Sequence, residues 1–156
     1  MLEGRFIRWS ATRPLLWSDF QGQPTTDDGA VTYAFLDRKL YKKNPRITYL
    51  KAIFGKEQSW VRIPDSLGLI HEQGHFDIVE MYARKFNNKF SVPYLDTKED
   101  RVSLETKQFD ELCKEMDEVQ ANYDGETQGY LNQQEQERWN KWIKKQLDSI
   151  PKIEFD

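Results

Sequence analysis

His71-Glu72-Gln73-Gly74-His75 is the stretch from which the rest of the chain is read. It has the pattern H-E-x-x-H, that of a metal-binding helix. Residues four apart on an α-helix lie about 40° apart around the axis and about 6 Å along it. Two imidazoles so placed can reach one Zn²⁺ at about 2.0–2.1 Å. Glu72 is turned about 100° from His71. Its carboxylate can therefore meet a water on the metal rather than the metal. Zn²⁺ lowers the pKa of such a water to about 7, and a carboxylate can take its proton as a polarised carbonyl is attacked. A helix can also carry two histidines and a glutamate for solubility alone. Here the two that fit are the only two histidines in the chain, and a chance match is well under about 1%.

The flanking residues suit a helix from about Ser66 to about Phe90. Pro64 closes what precedes it, and Asp65 or Ser66 can cap its first turn. Leu67, His71, His75, Ile78 and Tyr82 share one side. Gly74 costs about 1 kcal/mol against Ala, which reads either as a close approach by another backbone or as tolerated drift. Asp77 and Glu80 point about 140–200° from His75. They suit support of neighbours or surface pairing, Glu80 with Arg84 at i+4. A third ligand must come from elsewhere.

Upstream, residues 5–20 read as short extended pieces broken by Pro14, with Trp9, Leu16, Trp17 and Phe20 as core or cover. Gln21 to Gly29 is turn-rich. Three strand-like runs follow: Ala30 to Tyr41, Arg46 to Phe54 and Ser59 to Ile63, with Gly55 to Gln58 as a turn. The second and third runs read as a hairpin within an antiparallel meander. Lys51, Lys56 and Arg62 can protect its edge.

Downstream, Asn87 to Thr97 reads as a turn containing Pro93. A second helix is expected from about Lys98 to Tyr123, with Phe109, Leu112, Cys113, Met116, Val119 and Tyr123 inward. Its acids, Glu105, Asp110, Glu111, Glu115, Asp117 and Glu118, read mostly as a solvated face. Tyr123 to Tyr130 reads as a turn with two glycines. Asn132 with Glu135 resembles a capping box. A third helix runs to about Ser149, with Pro151 beyond. The fold class expected is α+β: a small antiparallel sheet, then the motif helix, then two further helices.

A chain of 156 residues has length for one domain over 1–156. Charged residues are 31% and aromatics 13%, which places it among globular chains rather than disordered ones. A net charge of −3 with both signs interspersed leaves no nucleic-acid footprint. No apolar run approaches the roughly 20 residues of a membrane span. Met1 to Arg8 lacks the layout of a signal peptide. The lone Cys113 excludes an internal disulfide and reads as a buried inert thiol.

Three further stretches carry a resemblance: Leu16-Trp17-Ser18-Asp19-Phe20-Gln21-Gly22, Ser59-Trp60-Val61, and Tyr123-Asp124-x-x-Thr127 followed by Gln136 and Trp139. With His71 to Ile78 and Ala83-Arg84, they resemble a bacterial family of predicted secreted zinc-dependent proteases, a domain of unknown function. The resemblance spans nearly the whole chain. It implies a zincin-like fold, one Zn²⁺ and an extracytoplasmic location, periplasmic or secreted, if an export signal has been removed. The family often reads Tyr-Asp-x-x-Thr-x-His-Gly after its second helix. Here Gly129 stands at the His position. Asp124 becomes the leading third ligand, with Glu126, Tyr130 or an acid of the second helix behind it.

The activity expected is that of a zinc metallohydrolase, a peptidase with Glu72 as general base and His71, His75 and Asp124 as ligands. Its partner would be a peptide or protein substrate, met by a monomer and added to a sheet edge. The alternatives are a degenerate zincin-fold module that binds peptide or cell envelope, and a metal-free structural helix.

Overall fold

The computed structural model describes residues 4–90 and 98–155. Among these residues five strands precede three α-helices: β1 (Phe6–Arg8), β2 (Ala30–Val31), β3 (Ala34–Tyr41), β4 (Asn44–Gly55), β5 (Trp60–Val61), α1 (Ser66–Phe90), α2 (Lys98–Thr127) and α3 (Gln133–Ser149). The architecture is α+β, and all strand pairs are antiparallel. One sheet has the order β1-β4-β3, and β2 pairs with β5 apart from it.

The hairpin differs from the one expected. β3 and β4, the first and second runs, pair in register from Ala34↔Phe54 to Leu40↔Thr48, closing at Tyr41↔Asn44. The turn between them is Lys42-Lys43, which lacks the Asn-Gly or Asp-Gly signal of tight hairpins. The third run leaves the sheet because Ser59 is captured. Its buried hydroxyl donates to the Gly55 carbonyl at 2.7 Å and accepts from the Tyr33 amide at 2.8 Å. β5 then pairs with β2 through Ala30↔Val61 and Val31↔Trp60. β4 is central only where β1 covers it, from Ile53 to Gly55.

Helix α1 has the expected bounds, and Asp65 Oδ1 accepts from the Leu67 amide at 2.7 Å. It is buried on nearly all sides, so it is the spine of the domain rather than a surface helix. One face packs Phe76, Val79, Ala83, Phe86 and Phe90 against Leu50, Ala52 and Phe54 of β4. The other packs Ile78, Met81 and Tyr82 against Tyr123, Trp139 and Ile143. Asn87 docks the helix on the sheet like a strand residue. Its amide donates to the Leu50 carbonyl at 2.9 Å and its oxygen accepts from the Leu50 N–H at 2.7 Å.

Several side chains depart from expectation. Leu16 and Leu67 are exposed, and Leu15 takes the buried place beside Trp9 and Phe20. Glu80 and Arg84 do pair, at 2.9 Å, but in the interior. Glu105 is buried between Arg101 and Arg38, not solvated. The turn expected around Pro93 lies outside the described residues. No helix among the described residues is long and apolar enough to cross a membrane.

Candidate metal centre

The turn expected at Tyr123 to Tyr130 is helix as far as Thr127. Thr127 is buried, and its hydroxyl donates to the Tyr123 carbonyl at 2.6 Å, one turn back. The helix stops where Gln128, Gly129 and Tyr130 take positive φ values of 52°, 62° and 84°. Those extra residues put Asp124 on the last turn of α2, facing α1.

There Asp124 Oδ1 lies 3.0 Å from His71 Nε2 and 2.9 Å from His75 Nε2, and the two Nε2 atoms are 3.2 Å apart. Among the described residues, these three are the group of His, Cys, Asp or Glu side chains that could hold a metal ion. Glu126 is elsewhere: it accepts from Trp139 Nε1 at 2.6 Å and pairs with Arg138. Tyr130 walls the cleft beside the histidines. Glu105 is held by Arg101 and Arg38, and Glu115 lies against Lys85.

The far side of each imidazole fixes its protonation. Gln120 donates from Nε2 to the His75 carbonyl at 3.0 Å, so its Oε1 is the atom 2.6 Å from His75 Nδ1. Gln136 donates from Nε2 to Asn140 Oδ1 at 2.8 Å and turns its Oε1 to His71 Nδ1 at 2.9 Å. An amide oxygen only accepts, so both Nδ1 atoms carry the proton. With no second proton on either ring, both Nε2 atoms present lone pairs, and Asp124 Oδ1 presents a third. Three acceptors then converge, an arrangement that either a proton or a metal ion can satisfy. Tetrahedral Zn²⁺ with bonds of about 2.0–2.1 Å needs ligand atoms about 3.3 Å apart, close to the observed spacings. The residues present fit the ion.

Electrostatics agree. Burial disfavours the imidazolium of His75, but the Asp124 hydrogen bond, its charge and the charge of Glu72 outweigh it and raise the pKa. Burial pushes the Asp124 carboxyl upward, but where a proton rather than a metal joins the cluster, hydrogen bonds from His71 and His75 pull it well below the usual carboxylate range.

Tyr123 supports the centre from behind. Its ring stacks on His71 at 4.6 Å and 10°, and its hydroxyl donates to the His71 carbonyl at 2.9 Å. This explains Gly74, since a Cβ there would stand 2.7 Å from Tyr123 Cζ and closer still to the hydroxyl. The close approach comes from a side chain, not from the backbone expected.

Glu72 is buried at the edge of a cleft of about 460 Å³, walled by Trp17, Ala30, Val31, Thr32, Ile63 and Tyr130. Thr32 Oγ1 donates to Glu72 Oε2 at 2.6 Å. The roles of Thr32 and Gln120 escape sequence reasoning. Gln120 carries one usable signal: it stands a turn before Asp124 on the same face of α2. Thr32 carries none, because its contact spans 40 residues.

The chain matches no family model, no curated protein and no solved structure.

Proposed function

We propose that the chain is a Zn²⁺-dependent hydrolase of peptide bonds. The observation that carries this reading is the convergence of His71 Nε2, His75 Nε2 and Asp124 Oδ1, beside a carboxylate that opens on a cleft. The three side chains would hold the ion. Bound there, Zn²⁺ would polarise a carbonyl and make a water acidic near neutral pH.

The chain's own residues do the rest. Glu72 takes the proton of the attacking water and passes it to the leaving amine. Thr32 holds one carboxylate oxygen of Glu72, which leaves Oε1 available as the base. Gln120 and Gln136 keep both rings in the tautomer that offers Nε2. The substrate adds as a strand to β2. The Gly29 carbonyl accepts from the amides of Arg62 and Ile63. By the alternation of an antiparallel ladder, the next pair, Ala30 and Val61, turns its polar groups outward. The N–H and C=O of Ala30, on the cleft wall, are thus the groups a peptide would pair with.

On this reading the fold is zincin-like, the family is that of the predicted secreted proteases, and the protein works outside the cytoplasm. Asp124, within 3.0 Å of both imidazoles, is what favours this reading over a degenerate binding module. Cleavage of an unfolded protein substrate in the presence of Zn²⁺ tests the reading. Glu72→Gln should keep the metal and lower the rate about 10²- to 10⁴-fold. Full activity in that variant would sink the mechanism.

A further inference from the structure

A second concavity, of about 820 Å³, lies on another side of α1, between α1, α3 and the segment after β1. Leu15, Leu69, Ile70, Ile143 and Leu147 give it apolar walls. Asp77 also lines it. Asp77 Oδ1 accepts from Trp9 Nε1 at 2.7 Å and from Gln73 Nε2 at 2.8 Å. Oδ2 accepts from no donor among the described residues. The cations nearby make their hydrogen bonds to other groups, although the charge of Arg84, over the Trp9 ring at 5.1 Å, still acts on Asp77. Arg84 donates to Glu80 and to the carbonyls of Leu147 and Ile150, and Lys144 pairs with Asp148. Burial raises the Asp77 pKa, outweighing the hydrogen bonds from Trp9 and Gln73 and the charge of Arg84. Of the four charged side chains that line the concavity, Lys144 and Asp148 pair with each other and Arg84 with Glu80, which leaves Asp77 as the acid with an open oxygen between apolar walls, the usual form of a binding site.

We infer that this groove holds an extended polypeptide segment with one basic side chain between aliphatic ones, the base meeting Asp77 Oδ2. The charge follows from the carboxylate oxygen without a donor, and the aliphatic flanks from the walls. The length follows from the lining, which runs along α1 from Ser66 to Arg84. Eighteen helical steps span about 27 Å, the reach of about eight residues of strand at 3.3 Å each. A small amine would fill only a fraction of that. The inference stands apart from the metal centre and uses none of its residues.

The probe is an acetylated, amidated heptapeptide with a central lysine among leucines and alanines, titrated against the full chain by NMR. The Trp9 indole N–H and the methyl groups of Leu69 and Ile143 should shift saturably. Norleucine in place of the lysine should weaken binding about tenfold or more, as should Asp77→Asn. That substitution keeps an oxygen for Trp9 and Gln73, so the fold is spared. Ile70→Lys, at an exposed rim position two turns before Asp77, supplies a competing ammonium and should block the peptide even if Asp77→Asn proves unstable. Equal binding of the norleucine peptide, hexylamine binding as tightly as the heptapeptide, or no saturable shift would overturn the inference.

Discussion

The hydroxyl of Thr32 donates to Glu72 Oε2 at 2.6 Å, joining the cleft wall just past the end of β2 to the acid on the motif helix. One bond thus ties the proposed substrate wall to the proposed base. Thr32→Val keeps the shape and removes the donor. It should lower kcat about 10- to 100-fold by freeing the carboxylate to rotate. KM, zinc content and thermal midpoint should hold, and Thr32→Ser should restore the rate. Unchanged turnover in the valine variant would remove Thr32 from the account.

Protons and metal compete at the centre. In the metal-free chain His75 has a pKa raised above its ordinary 6.5, so the folded state gains stability that is complete below pH 6.5. That gain is lost as pH rises through the higher folded value. Asp124 lies below its ordinary 3.8, so its gain is complete above pH 3.8 and lost as pH falls further. The two gains overlap between these ordinary values. With chelator present, the thermal midpoint of the native chain should exceed that of Asp124→Asn most in that window. The difference should shrink above pH 6.5, while zinc binding tightens. A difference that stays flat from acid to alkaline pH would contradict the coupling.

Gly74 should resist the usual helix-stabilising exchange. Gly→Ala in a helix interior gains about 1 kcal/mol, but here the methyl meets the Tyr123 phenol. Crowding of that kind costs about 1–3 kcal/mol, and it pushes Tyr123 off the His71 carbonyl. Gly74→Ala should therefore lower the denaturation midpoint and weaken zinc binding together. A variant more stable than the native chain would show that Tyr123 yields without cost.

What is legible in the sequence is what local physics decides. Helix α1 can be bounded because Pro64, the Asp65 cap and the inward stripe all act within a few residues. Asn132 likewise caps α3, accepting from the Glu135 amide. Strand pairing is not local. The Lys42-Lys43 turn carries no glycine, and the capture of Ser59 by Tyr33 and Gly55 depends on chain that is distant in sequence. Glycines at 125 and 129 read as a turn, yet Gly125 lies within helix in open space while Thr127 holds the last turn. Asp124 can be nominated only through a resemblance. Its approach to both imidazoles depends on where α2 crosses α1. Gly74 signals a close neighbour, but not that the neighbour is the Tyr123 hydroxyl.

The central claim is that a cation belongs among His71, His75 and Asp124. The direct measurement is zinc content after incubation with Zn²⁺ and removal of the excess, on the native chain and on His75→Ala and Asp124→Ala, with circular dichroism to verify folding. The account predicts about one tightly held Zn²⁺ per native chain and its loss from both folded variants. A native chain that retains none, or variants that retain as much as the native chain, would contradict it.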